Sequence, residues 1–278
     1  GVYDQVKKAL SGFQVLEFWG IEPNPRYETC MKAVEICRRE KITFLLAVGG
    51  GSVLDATKFI SLAVFYTEGD PWDICSKGAT VAQTIPLGSV ITLPATGSEM
   101  NFNAVISRDS THEKLSLADP KAYPVFSVMD PEVTFSLPER QTINGIVDAF
   151  VHVCEQYMTY PVNSPLQDRQ AEAVFHTLVE EGPKVLKNPR DYDARANIMW
   201  AATHALNFIM ACGVPQDWST HMIGHEITAL HGLDHAQTLA CVLPAVFKHQ
   251  KKEKEAKLSQ YGRRIWGITP GPNAADKA

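Results

Sequence analysis

Up to about Leu137, short apolar runs of strand length alternate with stretches whose apolar residues recur at helical spacing. The chain opens on GVYDQVKKAL, an amphipathic helical pattern, and Phe13–Phe18 (FQVLEF) reads as a strand. Tyr27–Glu40 carries Met31, Val34, Ile36 and Cys37 at helical spacing. Thr43–Val48 (TFLLAV) is a continuous apolar run, as expected of a strand buried on both faces of a parallel sheet. Ser89–Leu93 and Val125–Met129 repeat that signal. Beyond Leu137 it stops, and helical patterns cover Glu139–Met158, Pro165–Lys187, Tyr192–Ala211 and Asp217–His231, with more beyond Asp234. Pro161, Gly182-Pro183, Gly213–Pro215 and Gly232 stand at the breaks or bends. The pattern predicts an α/β domain over residues 1–136 followed by an all-helical domain over 137–278.

Composition narrows the class of partner. The chain has 278 residues, 21% of them charged, and a formal net charge of −5, so no basic excess points to nucleic acid. Its one lysine-rich run, KHQKKEKEAK from Lys248, is interleaved with Glu and reads as a solvated helix face. Six cysteines without a CxxC pair read as reduced thiols of a cytoplasmic protein. No apolar stretch has the length that spans a bilayer, so no membrane partner is expected.

Two loops carry candidate chemistry. TFLLAV runs into GGGSVLDATKF, a strand, a glycine turn and a helix with Val53, Ala56, Thr57 and Ile60, for which Ser52 is the expected N-cap. Such a junction suits a phosphate, because backbone N–H groups and the helix dipole meet there. The string is not GxGxxG, since Leu54 stands at the third glycine, and it is not GxxxxGK[ST]. A plain βα turn would account for three glycines as well. A second loop, SVITLPATGSEMN, adds hydroxyls at Thr92, Thr96 and Ser98, and two such strand ends suit a dinucleotide across the carboxyl edge of a parallel sheet.

Eight of the nine histidines lie in the helical half, all but His112. Asp148 and His152 are four apart in NGIVDAFVHVCEQY and share a helix face. An ionisable pair on an apolar face is costly unless it is paired or bound, although a simple Asp–His hydrogen bond would also serve. His221 and His225 are likewise four apart in HMIGHEITALHGLDHAQT. Gly232 can end that helix and Asp234 can cap the next, placing His235 in its first turn. One carboxylate with several imidazoles fits Fe(II) or Zn(II) and disfavours Ca(II) or Mg(II). Spacing leaves open which of the late histidines would coordinate.

Together GGGSVLD, TLPATGSE, DPEVTFSLPERQTINGIVDAFVHVCEQY and HMIGHEITALHGLDHAQT resemble the iron-containing (group III) alcohol dehydrogenases, nearest to their butanol dehydrogenase and broad-range NADPH-dependent aldehyde reductase branch. The resemblance implies the dehydroquinate synthase-like fold, an α/β nucleotide-binding domain followed by an all-α metal-binding domain, each incomplete at its outer end. It implies reduction of aldehydes to primary alcohols, and the reverse, with NADP(H) in preference to NAD(H). One divalent metal, Fe(II) or Zn(II), would be held by Asp148, His152, His221 and His235. His225 would stand beside the nicotinamide as the catalytic residue. Cofactor contacts would fall to Gly50, Gly51, Ser52, Asp55, Thr92, Thr96, Asn101 and, in a less well matched stretch, Lys114. A homodimer or larger homo-oligomer is expected. The same fold serves dehydroquinate synthase and glycerol dehydrogenase, but the apolar, small surroundings of His221 and His235 lack the Lys and Arg that a phosphorylated acid requires. A truncated nucleotide-binding chain without turnover is the non-enzymatic alternative.

Overall fold

A computed structural model describes residues 1–269, 271 and 274–277. It divides into two compact units, Gly1–Thr92 with Phe102–Ser136, and Leu93–Asn101 with Leu137–Ala278, so that the segment Leu93–Asn101 joins the helical unit.

The first unit holds helices α1 (Val2–Ala9) and α2 (Tyr27–Glu40), strand β1 (Leu45–Gly49), helix α3 (Gly51–Ala63), the single turn α4 (Asp73–Ser76) and strands β2 (Leu87–Ile91), β3 (Asn103–Arg108), β4 (Glu113–Ala118) and β5 (Phe126–Val128). Strands β1, β2 and β5 form a parallel sheet in that order, with Leu45 opposite Leu87 and Gly88 opposite Phe126. The apolar run that predicts β1 does produce it, but only Ala47 of that strand is buried, because β1 is an edge of this sheet. Phe13–Phe18, expected as a strand, pairs with nothing among the described residues, and Phe13, Val15 and Leu16 are exposed. Alternating apolar residues make a strand only where a neighbour completes the ladder. The antiparallel hairpin β3–β4, registered Asn103 to Ala118 through Arg108 to Glu113, has no counterpart among the apolar runs of the sequence. Its strands are short and rich in Asn, Ser, Lys and Glu, and of their apolar residues only Ala104, Ile106 and Leu117 are buried. The core of this unit packs Cys30 and Val34 of α2, Phe59 and Leu62 of α3, Trp72 and Ile106. Fully burying a side chain of this size contributes about 1.5–3 kcal/mol.

The second unit is helical: α5 (Glu139–Tyr157), α6 (Pro165–Lys187), α7 (Tyr192–Ala205), α8 (Ser219–His231), α9 (His235–His249), α10 (Glu255–Trp266) and α11 (Ala274–Lys277). Helix α6 runs unbroken through Gly182-Pro183, and α7 stops at Ala205, six residues short of the expected Ala211. Its core joins Val153, Cys154 and Tyr157 of α5 to Phe175 and Leu178 of α6, Ala202 of α7 and Tyr261 of α10. Two glycines set helix positions. A Cβ on Gly145 of α5 would lie 2.3 Å from the Pro94 carbonyl oxygen, so the loop after β2 sits directly on this helix. A Cβ on Gly224 of α8 would meet Thr238 Oγ1 at 2.9 Å, so glycine there lets α8 and α9 approach.

Candidate metal centre

Helix α5 follows Pro138, opens on Glu139 at its positive end, and turns one face inward. That face carries Asp148, His152 and Glu155, spaced four and three residues apart, all buried. From α8, His221 and His225 are buried too, and Gly232 ends that helix in the left-handed conformation at φ 66°. Asp234 takes the N-cap position of α9 but makes no capping bond through its side chain. Its carboxylate instead pairs with Arg140 at 2.6 Å and accepts from Asn144 Nδ2 at 3.1 Å, both on α5. The start of α9, and His235 with it, is thereby tied to α5.

Three imidazole nitrogens surround one carboxylate oxygen. From Asp148 Oδ1 it is 3.7 Å to His152 Nε2, 3.7 Å to His221 Nε2 and 3.5 Å to His235 Nε2. Asp148 Oδ1 and His221 Nε2 are buried and have no hydrogen-bond partner among the described residues. Leaving such a group unsatisfied costs about 1–3 kcal/mol, more for a charge. Donors held about 2.1 Å from one tetrahedral ion stand about 3.4 Å apart. Asp148, His221 and His235 each offer an atom within 4.8 Å of the other two, and so form a compact ligand group. His152 lies beside this group, its ring stacked on His221 at 4.7 Å and 16° between planes. The donor set and its orphaned atoms fit a divalent iron or zinc ion.

Electrostatics draws positive charge to the same point. Burial pushes the Asp148 carboxyl up, but His152, His221 and His235 outweigh it and hold the group well below the usual carboxylate range. Burial brings His152 down to about 4. His221 goes the other way, up to about 9, because Asp148 and Glu155 outweigh its burial. Glu155 was not singled out in the sequence. The signal available was its place seven residues after Asp148 on the same helix face; its partner, His221, is 66 residues away.

His225 stands outside the ligand group, its ring centre 5.2 Å from that of His235 and 6.1 Å from that of His221. The expected cofactor residues divide between the units. In the α/β unit, α3 begins at Gly51 with Gly50 as its N-cap, so Ser52 lies in the first turn and does not cap. Gly50 takes the cap because its extended backbone turns its carbonyl to Val53 N and Leu54 N. Asp55 Oδ2 accepts from Val105 N at 2.9 Å, and Thr92 N donates to Gly49 O at 3.0 Å, which joins the ends of β1 and β2. Lys114 is buried on β4 and its Nζ donates to Asn24 Oδ1 at 2.8 Å. In the helical unit, Thr96 Oγ1 accepts from Ser98 N at 3.2 Å, and Asn101 Nδ2 donates to Leu206 O at 3.0 Å and to Thr96 O at 3.3 Å. Asn101 thus fastens the loop it ends.

Comparison with known proteins gives the same family along the chain. Residues 1–131 match the family model described as iron-containing alcohol dehydrogenase, and residues 142–278 match that of the Fe-containing alcohol dehydrogenase family, C-terminal. The chain is 59% identical over 273 residues to the NADPH-dependent aldehyde reductase YqhD of Escherichia coli K12, covering 98% of this chain and 70% of that one. The crystal structure of E. coli YqhD superposes with a TM-score of 0.97 at 58% identity, covering 99% of this chain and 72% of the other. NADH-dependent butanol dehydrogenase A of Thermotoga maritima superposes at 0.95 with 37% identity, covering 99% and 69%. With both halves matched and such identity to a full-length relative, this chain belongs to the iron-containing alcohol dehydrogenase family.

Proposed function

We propose that this chain reduces aldehydes to primary alcohols, and catalyses the reverse, with NADPH as the hydride donor and a divalent metal held by Asp148, His152, His221 and His235. The observation that carries the reading is the buried Asp148 Oδ1, without a hydrogen-bond partner among the described residues, with three imidazole Nε2 atoms 3.5–3.7 Å away. The choice of NADPH rests on the E. coli relative, whose name carries it.

An iron(II) or zinc(II) ion at this point supplies a Lewis acid to the carbonyl oxygen. Asp148 gives the site its buried negative charge, and Glu155 holds His221 by its backbone and its ring. The Arg140–Asp234–Asn144 cluster fixes the start of α9, from which His235 projects. His225, one turn from His221 and with its ring centre 6.1 Å from that of His221, serves as the proton relay between the substrate oxygen and solvent. The first turn of α3, with Gly50, Gly51 and Ser52, takes cofactor phosphate, and Asp55, Thr92 and Lys114 of the same unit make further cofactor contacts. No helix among the described residues is long and apolar enough to cross a membrane. A homodimer or larger assembly follows from the family resemblance, and particle mass in solution reads it.

The test is steady-state turnover of butanal with NADPH by purified protein, before and after chelation and after return of Fe(II) or Zn(II). Turnover that needs the returned ion supports the reading; full activity in metal-free protein overturns it.

A further inference from the structure

Glu155 is an acid on the inward face of α5, its side chain 3% exposed, yet it is no part of the ligand group. Its two oxygens serve one residue of another helix: Oε1 accepts from the backbone N of His221 at 3.0 Å, and Oε2 accepts from His221 Nδ1. A carboxylate only accepts, so the ring must donate from Nδ1. In a neutral imidazole a proton on Nδ1 leaves the lone pair on Nε2. Nε2 is the atom that lies 3.7 Å from Asp148 Oδ1, buried and without a hydrogen-bond partner among the described residues.

We propose that Glu155 is a positioning residue, which holds His221 in its Nδ1–H form and so turns a lone pair on Nε2 to the metal. The proposal rests on the metal reading above. A narrower role would be to cap α8 from outside. His221 is the third residue of that helix, its N–H is among those a helix leaves unbonded, and the N-cap Trp218 offers no side-chain bond. Capping, however, needs one oxygen, and the second oxygen is spent on the ring.

Glutamine separates the two roles because its amide has the carboxylate's shape with one acceptor and one donor. If its oxygen caps the His221 N–H, its NH₂ faces Nδ1 and donates, which moves the ring proton to Nε2 and removes the ligand lone pair. If its oxygen faces Nδ1, its NH₂ opposes the backbone N–H. Glu155→Gln therefore cannot keep both the cap and the ligand.

The experiment measures Zn(II) affinity of the whole chain by competition with a fluorescent chelator, for the parent, Glu155→Gln and Glu155→Asp, with circular dichroism to report folding. Glu155→Gln should bind zinc roughly 10- to 100-fold more weakly, the usual cost of removing a group that orients a ligand. Glu155→Asp keeps two accepting oxygens and should recover part of the loss. In the zinc-loaded parent, ¹⁵N spectra of labelled histidine should show His221 protonated at Nδ1 and metal-bound through Nε2. Zinc bound by a folded Glu155→Gln as tightly as by the parent overturns the proposal, and so does a His221 bound through Nδ1. If Glu155→Gln does not fold, the aspartate variant and the parent spectrum decide. A parent chain that binds no zinc and no iron sinks the metal reading itself, a result distinct from either.

Discussion

His221 and His225 stand one turn apart on α8, equally buried, and differ in what meets them. His221 is held by Glu155 and faces Asp148; His225 stands next to His235 without joining the ligand group. On the proposed assignment, His221→Ala removes a ligand and should leave the purified protein with little bound metal and a collapsed turnover number. His225→Ala should keep its metal and bind NADPH as the parent does. Its rate should fall about a hundredfold, the lower end of what a positioned proton-transfer group supplies. Metal content of the two variants, measured side by side, decides the assignment. A loaded His221→Ala with an empty His225→Ala would reverse it.

At the level of elements, function depends on where helices begin and how closely they pack. The first turn of α3 carries the positive end of its dipole, with Ser52 as the second helical residue. Ser52→Asp places negative charge where phosphate would sit, and NADPH affinity should drop more than tenfold, beyond about 1.4 kcal/mol. A Michaelis constant for NADPH equal to the parent's would make the glycine turn only a turn. Between α8 and α9 the relevant residue is Gly224. In Gly224→Ala the new methyl would meet Thr238 Oγ1 at 2.9 Å and Leu239 Cδ2 at 3.2 Å, so those side chains or the helix that carries them must shift. Overpacking of this kind costs about 1–3 kcal/mol. Because His221 and His235 belong to the two helices concerned, metal affinity should fall together with the melting temperature. A variant that melts lower but binds zinc undiminished would show that the helices separate without moving the ligands.

For the molecule as a whole, one partly buried ion pair makes an acid limb to stability. Lys254 Nζ lies 2.6 Å from Asp217 Oδ2, tying the start of α10 to the segment before α8. Burial pushes the Asp217 carboxyl up, but Lys254 and Ser219 outweigh it and bring it from its ordinary 3.8 down to about 2. A carboxyl depressed on folding stabilises fully above its unfolded value, and that stabilisation is lost as pH falls through the folded one. Asp217→Asn should therefore be less stable than the parent at neutral pH, with the difference closing between about pH 4 and pH 2. Denaturant midpoints across that range read it, and a gap that stays constant would remove Asp217 from the account. Much of the plan is legible in the residues. Helical hydrogen bonds join neighbours in sequence, so the face shared by Asp148 and His152, and the end of α8 at Gly232, follow from spacing and from glycine's tolerance of positive φ. The apolar runs likewise foretell β1, β2 and β5. What spacing does not contain is a distance between two helices. The approach of His221 Nε2 to Asp148, the bond from Glu155 to a ring 66 residues away, and the use of Asp234 on α5 rather than as a cap all arise from packing. So does the difference between FQVLEF, unpaired among the described residues, and the polar β3–β4 hairpin, which forms because each strand supplies the other's ladder. Local periodicity determined the helices and the parallel strands of this protein; only tertiary packing brought the carboxylate, the imidazoles and the acid behind them to one point, because those contacts join residues far apart along the chain.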